Sequence, residues 1–175
     1  MNKFKEGMAG PTTVLLAICL FFAVALVVVN GATKPIIVQG QIEAANKTRA
    51  EVFPGGGSFT EITDIALPDG VSEAYRADSG DGFVFTSAAK GFDGKVTFII
   101  GIDKNGNITG IDMFDHSETQ GLGSKIGKPD FLKNWFGSAD PAKVDGITGA
   151  TLTTNALRNA LLQAKQAYEL VKGAA

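Results

Sequence analysis

From Gly7 to Thr33 the chain carries no charged residue, and its centre, VLLAICLFFAVALVVV (Val14–Val29), is wholly apolar. With Gly10 to Thr13 included, the run reaches the ~20 residues a helix needs to cross the hydrocarbon core of a bilayer. A segment of this kind at the start of a chain is an anchor or a leader. A cleaved leader has a shorter apolar core and a small-residue cleavage site, and VNGAT (Val29–Thr33) is a poor one. A lipoprotein leader needs a small residue before Cys19 and an end to the apolar run there. Ile18 stands before it instead, and LFFAVALVVV follows. The reading is an uncleaved transmembrane helix in which Cys19 is a small apolar residue facing lipid or a partner helix. Lys3 and Lys5 precede the run, so the positive-inside rule places residues 1–10 in the cytoplasm, 11–31 in the membrane and 32–175 beyond it.

The remainder is long enough for one compact domain. A net charge of −2 without a basic cluster gives no electrostatic reason to expect a nucleic-acid partner. One cysteine rules out an internal disulfide, and one histidine makes a Cys/His zinc site unpromising. A Ser/His/Asp hydrolase would have to use His116, and nothing near it resembles a nucleophile elbow.

Periodicity then divides the domain. QGQIEAANKTRAEVFPGGG reads as a polar helix leaving the membrane, stopped by Pro54 and Gly55 to Gly57. SEAYRAD and FVFTSAA have strand length. KVTFIIGID (Lys95–Asp103) and ITGIDMF (Ile108–Phe114) flank KNGN, where Asn105-Gly106 offers the positive φ of a tight hairpin. FLKNWF predicts a short helix or turn that docks Phe131, Trp135 and Phe136 in the core. Leu157, Leu161, Ala164, Tyr168 and Val171 make one apolar stripe, predicting a helix over 152–172 with Thr151 as its N-cap. Phe83, Phe85, Phe98 and Phe114 read as core. The fold class expected is α+β: a twisted antiparallel sheet packed by N- and C-terminal helices, preceded by one transmembrane helix.

DGITGATLTTNAL (Asp145–Leu157) collects four threonines where that last helix begins. A threonine there is ordinarily a cap. The same place has unpaired N–H groups and the positive end of the helix macrodipole, which favour an anion. Gly149 and Ala150 add no bulk against a phosphate, and Thr148, Thr153 and Thr154 add hydroxyls. No lysine or arginine lies within the motif to neutralise a free phosphate.

DGITGAT resembles the flavinylation motif, Asp-x-x-Ser/Thr-Gly-Ala-Thr/Ser, of bacterial FMN-binding domains. The resemblance implies FMN held by a phosphoester to Thr151, with Asp145 the acidic position and Thr148, Gly149 and Ala150 the turn. Thr154 joins this cofactor site. A separate Mg²⁺-dependent flavin transferase would install the group from FAD. HSETQGLGSKI (His116–Ile126) is similar to the Glu-Thr-Pro-Gly-Leu-Gly loop of the same family, which lies against the flavin. Glu118, Thr119, Gly121, Leu122 and Gly123 match, whereas Gln120 replaces the usual proline and should loosen the turn. Two glycines would let backbone approach the rings, Leu122 would offer an apolar surface, and Glu118 and Thr119 would bond polar edges.

Both motifs, in order behind an anchor, resemble the G subunit of Rnf electron-transport complexes, with the longer C subunit of Na⁺-translocating NADH:quinone reductases as a close relative. This implies an electron-transfer subunit of an ion-translocating ferredoxin:NAD⁺ oxidoreductase, not catalytic alone. Its partners would be the other membrane and redox subunits, the flavin transferase and membrane lipid. His116 is either a tuner of the flavin or a polar surface group, and Lys125 and Lys128 are solvated charges or partner contacts. Two rivals remain at this point: a tethered module binding a free phosphate or carboxylate, and a stand-alone extracellular flavoprotein reductase.

Overall fold

The computed structural model describes residues 2–137, 141 and 145–173. The chain divides into two compact units, Met1–Ala44 and Ala45–Ala175. Helix α1, Asn2–Val52, supplies all of the described part of the first. It runs through Pro11 and Pro35, each of which lacks the N–H that an interior helical position donates. Every large apolar side chain from Val14 to Val29 is exposed. Gly10–Val52 is long and apolar enough to include a membrane span.

The second unit is built on a five-stranded sheet whose strands lie in chain order and pair antiparallel. They are β1 (Phe59–Glu61), β2 (Val71–Ala77), β3 (Gly82–Lys90), β4 (Lys95–Asp103) and β5 (Ile108–Asp115). β3 and β4 pair along their full length, from Gly82↔Asp103 to Lys90↔Lys95. Short helix α2 (Pro129–Leu132) and helix α3 (Thr151–Val171) follow. The expected α+β architecture is therefore the one found. Strand β1 has only three residues and no alternation, so nothing in its sequence announced it.

Strand alternation gives the sheet two apolar faces. On one, Phe83, Phe85, Phe98, Ile100 and Ile102 meet the apolar stripe of α3. Leu157, Leu161, Ala164, Tyr168 and Val171 are all buried there. Ala156, Ala160 and Ala167 join them, small enough to bring the helix axis close to the sheet. A fully buried leucine or isoleucine contributes about 1.5–3 kcal/mol, so this face carries most of the domain's stability.

The other face takes the end of α1. Val52 and Phe53 pack with Ala77, Val84 and Ile99, and Phe114 joins this smaller cluster half-buried. Phe114 is thus core, but on the face away from α3. A Cβ on Gly101 would lie 2.6 Å from the Val52 carbonyl oxygen, and one on Gly110 would meet the same atom. Two glycines side by side in the β4–β5 register let the helix end reach the sheet, where Thr109 Oγ1 donates to Val52 O at 2.9 Å. Arg49, buried beside them, donates to Glu73 Oε2 at 3.0 Å and lies 3.7 Å over the Tyr75 ring.

The KNGN hairpin is present but wound differently from expectation. Among the described residues only glycines have positive φ, so Gly106 at +84° takes the left-handed position alone. Gly106 N donates to Asp103 O, and Asp103 N to Asn107 O, both at 2.9 Å, the pattern of a three-residue loop with a glycine bulge. Asp103 Oδ1 accepts the N–H groups of Asn105 and Asn107, each at 2.8 Å.

Burial pushes the Asp103 carboxyl up, but hydrogen bonds from Asn107 and Asn105 outweigh it and leave the group below its ordinary value. A depressed carboxylate contributes stability above its unfolded pKa that is lost as pH falls through the folded one. Asp103→Ala should therefore cost about 1 kcal/mol at pH 7, and the difference from wild type should begin to shrink only as pH falls below about 4, toward the lowered folded pKa. Urea unfolding at pH 7 and pH 3 measures both. Equal differences at the two values would remove the turn carboxylate from the explanation. Asp112 shifts the other way, raised by burial and then by Glu51, so its contribution is present at low pH and fades as pH rises through its folded pKa.

FLKNWF forms α2 and a 3₁₀ turn over Lys133–Trp135. Trp135 is fully buried and Phe131 packs edge-on against it at 6.2 Å. Phe136, expected in the core, is 40% exposed. The chain extends again at this residue (φ −70°, ψ 136°), ending the turn that would have carried its ring inward.

Candidate flavin cleft at the start of the last helix

Three segments far apart in sequence meet at the N-terminal end of α3. The β3–β4 turn contributes Phe92, the loop after β5 contributes Glu118, Thr119, Leu122 and Gly123, and the helix start contributes Gly149 to Thr153. Together they line a cleft of about 250 Å³. Pockets that enclose a whole small-molecule ligand span ~300–1,000 Å³, so a ligand of cofactor size held here leaves part of itself outside.

The loop after β5 is organised by its own polar groups. His116 Nδ1 accepts the Glu118 N–H at 3.2 Å. Thr119 O accepts from Leu122 N at 3.2 Å and Ser124 N at 3.3 Å, and Ser124 Oγ accepts Gly121 N at 2.8 Å. Gly121 sits at φ +77°. Those bonds close the turn that Gln120, in place of proline, was expected to loosen.

Glu118 is 5% exposed. Its Oε1 accepts the N–H groups of Phe92 (2.8 Å) and Asp93 (3.1 Å), and its Oε2 accepts the Thr153 hydroxyl at 2.6 Å. Gly91 and Gly123 leave room for this carboxylate, since a Cβ on either would run into it. The side chain thus ties the β3–β4 turn to the first turn of α3.

At the helix start, Ala150 N donates to Ile147 O at 3.0 Å, closing a turn in which Gly149 has φ +85°. Thr151 does not cap the helix as expected. Ala150 holds the cap position without a side-chain bond, and Thr151 is the first residue inside. Thr154 instead ties the preceding turn to the helix: its Oγ1 donates to Ala150 O at 3.0 Å and receives Ile147 N at 3.4 Å. With the turn already closed behind Ala150, the Thr151 hydroxyl has no backbone group to serve. It is exposed, lines the cleft, and makes no hydrogen bond among the described residues. The first α3 hydrogen bond in this region is Thr154 N to Ala150 O, so the N–H groups of Thr151, Leu152 and Thr153 precede the helical ladder.

Of the residues expected at the site, Glu118, Thr119, Leu122, Gly123, Gly149, Ala150 and Thr151 line one cleft. Asp145 and Thr148 are exposed in the approach to it, Gly121 shapes the loop behind it, and Thr154 is buried beneath the turn. His116 serves its loop. Phe92 was missed, although an aromatic between the glycines of a Gly-Phe-Asp-Gly turn was a usable signal. Among the described residues, Glu118 is the only ionisable one lining the cleft.

Residues 91–166, which contain every cleft-lining residue, match the FMN-binding domain family. The chain is 30% identical over 162 residues to the G subunit of an ion-translocating oxidoreductase complex from Shewanella piezotolerans, covering 77% of this chain and 76% of that one. The chain belongs to the family of these G subunits. A second member, from Haemophilus influenzae, is 29% identical over 131 residues, 65% of this chain and 60% of its own length. Among solved structures, the C subunit of the Na⁺-translocating NADH-quinone reductase from Parabacteroides distasonis is similar at 26% identity, with a TM-score of 0.42 and 59% of each chain covered.

The residues of the cleft suit a phosphorylated flavin. A helix N-terminus favours a phosphate, Gly149 and Ala150 keep bulk away from it, and the walls beside it are apolar. What the lining lacks, among the described residues, is a cation. A freely bound phosphate would have only the helix end to offset its charge there, whereas a covalent link would need no side-chain cation to stay.

Proposed function

We propose that this chain is a membrane-anchored electron-transfer subunit with FMN bound as a phosphoester on Thr151. The observation that carries the reading is the Thr151 hydroxyl: exposed, unengaged and at the mouth of a cleft whose described lining has no lysine or arginine. Attachment joins the threonine oxygen to the flavin-side phosphorus of FAD and breaks the pyrophosphate bond. AMP leaves, and the hydroxyl proton passes to the transferase.

When bound, FMN supplies reversible one- and two-electron redox chemistry. This chain's own residues do the positioning. The amide end of α3 holds the phosphate, the Glu118–Thr153 bond keeps the first turn of α3 against the loop, and Leu122 and Leu152 exclude water from one side. A tether also keeps the local cofactor concentration high where a lost one is not replaced.

The apolar stretch of α1 anchors the chain, with residues 1–10 in the cytoplasm, 11–31 in the membrane and 32–175 outside. Exposed valines, leucines and phenylalanines from Val14 to Val29 are costly in water and favourable in lipid. Its partners are the integral and redox subunits of an Rnf-type complex that couples ferredoxin–NAD⁺ electron transfer to export of Na⁺ or H⁺. The span carries no ionisable side chain apart from Cys19 between Gly7 and Thr33, so the ion path belongs to those partners.

Intact-mass analysis of the chain coexpressed with a flavin transferase tests the reading. The expected mass is the chain plus one FMN less one water. A colourless protein of unmodified mass would end it.

A further inference from the structure

Phe92 is 66% exposed, yet the turn that carries it is held as firmly as a core element. Gly91 N donates to Gly94 O at 2.7 Å, closing the turn. Both N–H groups at its tip go to Glu118 Oε1. The other oxygen of that carboxylate receives Thr153, two residues beyond Thr151. One buried side chain therefore sets the position of Phe92 against the start of α3, and two glycines are spent on making space for it.

Loop tips are ordinarily polar and mobile. A bare phenyl ring on a turn pinned by a buried carboxylate is a preorganised contact, with its ordering cost met before any ligand arrives. Phe92, Leu122 and Leu152 are the large apolar side chains lining the cleft, and all three are substantially exposed. Only Phe92 among them is planar and offers a π face to another ring. The cleft itself, about 250 Å³, is smaller than the ~300 Å³ at which pockets begin to enclose a ligand. A ring system tethered at Thr151 must lie against this rim.

We infer that Phe92 is the aromatic face of the cleft, held by the Glu118 carboxylate to stack against the planar ring of a ligand tethered at Thr151. The inference rests on the flavin reading. Glu118 is here a positioning residue and acts through Phe92.

The test uses the full chain, flavinylated by a coexpressed transferase and purified in detergent, with intact mass recorded for every variant. Phe92→Trp should quench flavin fluorescence several-fold, because an indole stacked on an excited flavin donates an electron to it. Phe92→Ala should keep the mass adduct and the melting temperature while losing most of the visible circular dichroism and admitting iodide several-fold faster. Adding Glu118→Ala to Phe92→Trp should restore much of the fluorescence when read well below the melting transition of the double variant, where the fold is intact and only the hold on the Phe92 turn is lost. Flavin present with fluorescence, dichroism and iodide access unchanged in both Phe92 variants would overturn the inference. It would assign the ring to contact with another protein and leave the flavin reading standing. A wild-type chain of unmodified mass would overturn both.

Discussion

Thr151→Ala should take covalent flavin on this chain from one per molecule to none, with the fold unaffected. The hydroxyl lost is exposed and bonds to nothing among the described residues. The change occurs at the first residue of α3, where alanine is at least as good a helix former as threonine. Stability should move by less than about 0.5 kcal/mol. Neighbouring hydroxyls are poor substitutes: Thr153 is committed to Glu118 and Thr154 to Ala150, both within the buried interior. Thr148 is the exposed alternative, so Thr148→Ala is the matching control and should keep its flavin. Thr151→Ser should keep it too. Fluorescence of the protein band after denaturing electrophoresis reads all three. A bright band from Thr151→Ala would move the attachment elsewhere.

Glu118→Ala should be the more damaging change to the domain itself. It strips the acceptor from two backbone N–H groups and a buried hydroxyl at once. A single buried donor left unpaired costs about 1–3 kcal/mol, and water entering from the cleft side offsets part of the sum. The expected loss is about 2–4 kcal/mol. For a domain of this size that is a fall in melting temperature of roughly 7–15 °C. Attachment at Thr151 should persist, because the threonine itself is untouched, while the flavin absorbance or redox titration shifts as the Phe92 turn loosens. Glu118→Gln keeps one carbonyl acceptor and should cost about half as much. If Glu118→Ala melts with the wild type, water already satisfies those donors and the clamp is not structural.

The elements legible in the sequence were those whose signal is local. The β4–β5 hairpin followed from two alternating runs around Asn105-Gly106, and α3 from a stripe of five apolar residues that all proved buried. Its ends moved by one residue at each side. The two motifs were also local, and the structure brings Glu118, Leu122 and Gly123 of one together with Gly149 to Thr151 of the other. Less legible were contacts made across the chain. Glu118 looked like a group for bonding a ligand's polar edge, but its oxygens are engaged by donors 25 to 35 residues away. Phe92 was not singled out, because its place beside the start of α3 depends on those same distant bonds. Phe136 looked like core until the backbone turned outward at that residue.

Composition and pattern alone determined the anchor-length apolar helix, the α+β class and the stretch that begins α3. Each depends on residues adjacent in sequence, or on one periodicity. Only tertiary structure decided which hydroxyl is left unengaged. Thr151, Thr153 and Thr154 are near neighbours of the same type. The buried carboxylate of Glu118 occupies the second and the closed turn at Ala150 the third, leaving the first exposed. Hydrogen-bond partners drawn from distant segments cannot be read from spacing, because they depend on how strands and helix pack around them.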